Sequence, residues 1–199
     1  MVSSKRTDLV ETAVRLFAQH GYHATGIDLI AEEANVSKRT LYQHFRTKDE
    51  LILAALRHYD GVFRNQFIKS IEARATDPAD RILAVFDFAE DWFSRKSFCG
   101  CMFINAVGEY STPDTAIRAA CKEFKRLMRN YVYELAVDAN AMDPETFADE
   151  IALLLEGAIV TAQVSDDMGA AARAKRIAGV LLRKAGIGKR PSKPKAEAN

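Results

Sequence analysis

The stretch TGIDLIAEEANVSKRTLYQHFRTKDEL, Thr25 to Leu51, decides how this chain folds. Thr25 is a capping residue ahead of a short apolar-periodic run through Ile27, Ile30, Ala31 and Ala34, which predicts a helix. Asn35 stands where a left-handed residue ends it. Ser37 then caps a second short helix, Lys38 to about Phe45. Thr47 followed by Glu50 has the capping-box spacing and opens a long helix. Two short helices separated by Asn35-Val36-Ser37 have the spacing of a helix-turn-helix. Ile30, Ala31, Leu41 and Phe45 are the apolar positions that lock them, and the small Ala31 permits a close crossing.

The second of these helices turns a polar set outward: Lys38, Arg39, Thr40, Gln43 and His44, with Tyr42 ending in a hydroxyl. Such side chains reach phosphates and base edges in a major groove. From Ser37 to Lys48 there are basic residues at 38, 39, 46 and 48 and no acidic one. Main-chain N–H groups at the helix starts after Thr25, Ser37 and Thr47 add phosphate-binding capacity. A solvated basic face on a helix pair that touches no DNA is the other reading of the same pattern.

Outward from this stretch, helical periodicity continues and no segment alternates as a half-buried strand does. Upstream, Leu9, Val10, Ala13, Val14, Phe17 and Ala18 form a stripe that Gly21 terminates. Downstream, a helix of about 48–74 carries Leu51, Ala55, Tyr59, Phe63, Phe67 and Ile71. Asp77-Pro78 starts the next, with Phe88 and Trp92. Residues 94–100 are a polar connection. A short helix over 102–110, one over about 114–137, one from Asp143-Pro144 and one over about 169–184 complete an all-α chain. The division expected is a helix-turn-helix domain at 1–50, a helical body at 51–186 and a disordered basic tail at 187–199.

Bulk properties set limits. The net charge of +1 is nearly neutral, so DNA binding must rest on local charge. An apolar fraction of 48% supports a proper core. No apolar run approaches the roughly 18 residues of a membrane span. The N-terminal segment has no apolar leader core and the three cysteines are too few for a disulfide framework. The expectation is a reduced, cytoplasmic protein.

The residues Thr25, Ile27, Ile30-Ala31, Ala34, Val36-Ser37, Thr40-Leu41-Tyr42, His44-Phe45 and Lys48-Asp49-Glu50-Leu51, with Ala13, Phe17 and Gly21 upstream, resemble the DNA-binding signature of the TetR family of bacterial regulators. The resemblance covers about the first quarter of the chain. It implies phosphate contacts at Thr25, Tyr42, His44 and Lys48, and positions facing bases or nearby backbone at Lys38, Arg39, Thr40 and Gln43. Asn35 replaces the usual glycine, and Arg39 stands where the family often has a small residue. The resemblance further implies a dimer that grips a palindromic double-stranded operator, with reading helices about 34 Å apart. It implies a four-helix dimer interface from the last two helices, where Ala152, Gly157, Ala158, Ala162, Ala174, Ala178 and Gly179 are small enough for close packing.

Gly100-Cys101-Met102-Phe103-Ile104-Asn105 is similar to a Gly-Cys-apolar-x-x-Asn stretch in a subset of the family, at the entrance to the ligand domain. With Asn105 and Glu109 on one helix face, the expected small-molecule pocket comprises Phe88, Trp92, Cys101, Met102, Asn105, Glu109, Met128 and Tyr131. The same aromatics also read as plain core. Cys99 and Cys101 near Arg95 and Lys96 give an alternative, a thiol that responds to electrophiles or oxidants. No nucleophile–base pair or phosphate-binding glycine motif suggests an enzyme. His20, His23, His44 and His58 lack metal-ligand spacing with the cysteines, so neither metal nor cofactor is expected. The leading function is a repressor released from its operator by a ligand. A helical adaptor that binds no DNA is the competing class, and it would lack steep salt dependence.

Overall fold

A computed structural model describes residues 4–187, and over these the chain is all-helical. Of the tail expected at 187–199, residues 188–199 lie outside the described residues. Its first residue, Ile187, is buried, so the packed body runs one position further than the sequence suggests.

Local chemistry fixes the first helices. In α1 (Lys5–His20) the Ser4 side chain accepts the Thr7 N–H, and Leu9, Val10, Ala13, Leu16 and Phe17 face inward. Leu16 is a core position the sequence stripe omitted, while Val14 and Ala18 are only half-buried. Gly21 closes the helix at φ 82°, and its N–H reaches the Phe17 carbonyl. Helix α2 (Ile27–Glu33) is capped by Gly26 and not, as expected, by Thr25. Thr25 instead turns its hydroxyl inward to the carbonyls of Gly21 (2.6 Å) and Leu16 (3.3 Å). Asn35 sits at φ 52°, the left-handed conformation that asparagine tolerates. Ser37 caps α3 (Lys38–His44) by accepting the Thr40 N–H at 3.1 Å.

Helix α4 (Lys48–Arg74) starts where Thr47 accepts the Glu50 N–H. Only half of the expected capping box forms, because the Glu50 carboxylate takes the Arg46 N–H at 2.8 Å. At 1.5 Å per residue α4 is about 40 Å long. It packs against α1 at one end and against α5 (Pro78–Phe93) and α7 (Ala116–Asp138) further on. Between those two comes α6 (Met102–Glu109), which lies on α7. Helices α8 (Pro144–Ser165) and α9 (Ala170–Lys184) pair with each other, with α8 on α7 and α9 on α5. Among the described residues no helix is long and apolar enough to cross a membrane.

One backbone position is steeply constrained. Gly100 has φ 78°, and a Cβ there would lie 2.0 Å from the Gln163 amide. That amide donates to Asn105 Oδ1 at 2.9 Å, which ties α8 to α6. Gly100→Ala must therefore strain the backbone and expel the amide. A loss of about 1–3 kcal/mol is expected, read as a lower midpoint in thermal or urea unfolding.

Candidate functional site

The geometry of α3 follows from its burial pattern. Leu41 and the following Phe45 are buried and fix the helix against its neighbours. The opposite flank, Lys38, Arg39, Tyr42, Gln43 and His44, is exposed, and Thr40 is half-buried. Tyr42, on the same flank, stands 45% exposed. The Lys38 ammonium pairs with Asp28 of α2 at 2.8 Å, a surface pair that a phosphate can displace cheaply. Ser37 and Thr40 share a hydroxyl–hydroxyl bond of 2.9 Å at the helix start. Lys48 is half-buried and donates to the His23 carbonyl at 3.2 Å, so it braces the loop before α2. Burial lowers its pKa. Thr25 is fully buried with its hydroxyl committed to main-chain carbonyls, which corrects the expected phosphate contact.

A clamp joins this N-terminal unit to the body. Glu109, the last residue of α6, accepts the N–H of Tyr22 (2.8 Å), the N–H of His23 (2.6 Å) and a bond from His23 Nδ1 (3.0 Å). Burial raises its pKa, but the two backbone donors and the imidazole outweigh it, and the net shift is downward. The fully buried Tyr22 donates its hydroxyl to the Met102 carbonyl at 3.0 Å. The Tyr110 ring stacks on His23 at 4.8 Å. Burial, with Asp49 and Glu109 nearby, pushes the Tyr110 phenol up to about 12.

Within the body lies a small, aromatic-walled cavity of about 30 Å³ between α4, α5, α7 and α8. Phe88, Trp92, Cys101 and Met128 line it, as the sequence suggested. Tyr59, Phe63, Phe103 and Phe124 also line it and were not anticipated as pocket residues. Its polar edge is an ion pair, with Lys125 Nζ at 2.6 Å from both Glu156 oxygens. Lys125 also lies 3.5 Å from Cys101 Sγ. Four expected pocket residues are elsewhere. Glu109 is in the clamp. Asn105 is held by the Cys99 carbonyl and Gln163. Met102 lines a separate cleft beside Arg95 and Cys99. Tyr131 packs edge-on against Phe67 at 5.7 Å, outside the cavity, with its hydroxyl unpartnered. Cys99, Cys101 and Cys121 are free thiols. Burial and nearby Cys101 push Cys121 up to about 11.

Residues 9–55 match the model of the bacterial regulatory proteins of the tetR family. Residues 78–178, more than half of the chain, match the tetracyclin repressor-like C-terminal domain. The chain belongs to the TetR family.

A TetR-family regulator of Streptomyces coelicolor superimposes with a TM-score of 0.83 at 30% identity, over 91% of this chain and 95% of that one. Among curated relatives, the transcriptional activator FasR of Mycolicibacterium smegmatis is 42% identical over 91 residues, covering 43% of this chain and 41% of FasR. The regulator YerO of Bacillus subtilis is 35% identical over 82 residues, covering 41% of this chain and 28% of YerO. The chain thus spans less than half the length of these two relatives. As a TetR-family protein it is a transcriptional regulator with a DNA-binding helix-turn-helix, and not an enzyme. The adaptor reading falls with this membership. The first match runs from α1 into the start of α4, the second runs from α5 into α9, and the Glu109 clamp joins residues of the two matched segments.

Proposed function

We propose that this regulator is a cytoplasmic homodimeric repressor, which holds a palindromic double-stranded operator through α3 of each protomer and is released when a small molecule enters its body. The observation that carries the reading is the placement of α4. Its first residue braces the loop before α2, and its Tyr59, Phe63 and Phe67 wall the inner cavity. That cavity is about 30 Å³, whereas ligand sites measure roughly 300–1,000 Å³. A ligand must enlarge the cavity to fit, and α4 supplies three of its wall residues. Displacing α4 re-aims α3, so the filled and empty states differ in DNA affinity, as coupling requires. The dimer is supported by the apolar side chains that α8 and α9 leave exposed: Leu153, Val160, Val164, Ile177 and Val180.

Selection of bound oligonucleotides from random DNA tests the reading. A palindrome with half-sites about one turn apart is expected. On the selected site, Gln43→Ala or Arg39→Ala should cost about 1–3 kcal/mol and relax preference at particular base pairs. Tyr42→Phe should weaken all sequences alike. A selected site without two-fold symmetry, or substitutions at 39 and 43 that leave preference unchanged, would overturn the docking.

A further inference from the structure

The inner cavity is not the largest hollow in the body. A groove of about 790 Å³ opens to solvent between α6 and the first half of α7. Its floor is apolar, with Phe103, Ile104, Val107 and the thiol of Cys121. Its rim carries Arg118 and Lys122, one helical turn apart on α7. Among the described residues neither makes an ion pair with a carboxylate. The guanidinium of Arg118 meets only the Tyr110 carbonyl, at 3.4 Å. Of the acidic groups nearby, Glu123 is taken by Arg126, and Asp114 lies on the rim itself. The α7 N-terminus adds its partial positive charge at the same end. The third cation, Lys125, stands at the back of the groove and is neutralised by Glu156.

Two residues, Phe103 and Lys125, line both this groove and the inner aromatic cavity. The two hollows therefore adjoin at these two residues. A molecule seated with its head at the rim has its apolar part directed at Phe103, whose ring stacks on Phe124 at 3.8 Å. Pushing that ring aside joins the groove to the cavity beneath α4.

We propose that the groove is a binding site for an amphipathic organic carboxylate, its head held by Arg118 and Lys122 and its apolar body directed past Phe103 toward Trp92. Charge complementarity selects the head: two unpaired cations over an apolar floor favour an anion and oppose an ammonium. The Lys125–Glu156 pair stays closed, because an anion placed deeper would meet the Glu156 carboxylate. The site rests on the ligand-release reading for its consequence but not for its binding.

The test uses the full chain and three probes that share one body: 4-phenylbutyrate, 4-phenylbutan-1-ol and 4-phenylbutylamine. Binding is followed by calorimetry and by the fluorescence of Trp92, the only tryptophan. The carboxylate should bind about tenfold or more tighter than the alcohol, the difference typical of a charge-assisted contact, and the amine weakest. In Arg118→Gln/Lys122→Gln the carboxylate should fall to the level of the alcohol, while alcohol binding and the thermal midpoint hold. An alcohol that matches the carboxylate in the wild type, no binding by any of the three, or a carboxylate affinity that survives the double substitution overturns the site. The same probes added to the protein–operator complex separate the two readings. Carboxylate-selective binding that leaves the complex intact retains the site and removes ligand release; release by the alcohol alone does the reverse.

Discussion

Leu153→Asp together with Ile177→Asp should yield a folded monomer whose operator affinity is lower by about 10²–10⁴-fold, the range by which a second linked binding module raises avidity. Leu153 is 76% exposed and Val164 is 75% exposed, both on α8. Leu153, Gly157, Val160 and Val164 fall on one stripe at intervals of four, three and four residues. On α9, Ile177 and Val180 are 51% and 53% exposed, and Ile177 lines the same groove as Ala174. Between the two helices runs a shallow groove floored by Gly157, Ala158 and Ala174, into which a partner's side chains can settle. So many large apolar groups left in water on one face mark a surface that is covered in use. Since both replaced side chains are exposed in the single chain, the aspartates do not enter its core, and the monomer should keep its helix content. Sedimentation or light scattering checks the mass, and a salt-controlled DNA titration checks the affinity. A dimer that persists through both substitutions would place the interface elsewhere.

What the sequence revealed and what it hid divide by range. The helix-turn-helix was legible because its determinants are local: caps at Ser37 and Thr47, a left-handed Asn35, and apolar positions at helical spacing. Errors there were single-residue shifts. Gly26 took the cap assigned to Thr25 because the threonine hydroxyl found carbonyls at Gly21 and Leu16, in the turn behind it. Of the residues expected in a pocket, Phe88, Trp92, Cys101 and Met128 share one cavity. Glu109 was misassigned because helical spacing reports which face a residue shares with Asn105, not what that face meets. Its partners lie 87 and 86 positions earlier in the chain. The Lys125–Glu156 pair spans 31 positions and left no pattern either. A signal was available for one of these: Gly21 is followed by two main-chain N–H groups that a turn leaves without helical partners, and such donors need an acceptor from somewhere.

Glu109→Ala should destabilise the protein by about 1–3 kcal/mol, because it strands the part-buried Tyr22 N–H and removes the charged acceptor of the exposed His23 N–H. The Tyr22 N–H is part-buried, so water cannot fully replace the carboxylate. Gly21 shows how closely the loop is held, since a Cβ there would lie 2.9 Å from Glu109 Oε1. Glu109→Gln is the informative partner: its single carbonyl oxygen can serve one backbone donor, while its NH₂ opposes the other, so it should recover only part of the loss. The carboxylate's pKa is depressed in the folded protein, from an ordinary value of 4.5. The unfolded chain therefore takes up the proton first as pH falls. The stabilisation is complete above the ordinary value and is lost as pH drops through the lower folded one. Wild type and Glu109→Gln should accordingly differ in unfolding midpoint at pH 7 and converge as the pH falls through the depressed folded value, below 4.5. Hydrogen exchange at Tyr22 and His23 localises the effect, and both amides should lose protection in the alanine variant. The clamp also holds the orientation of α2 and α3 relative to α6, so operator affinity should fall together with that protection. Unchanged protection at both amides, or a midpoint difference that persists into acid, would mean that Glu109 is a bystander and that α4 alone carries the connection.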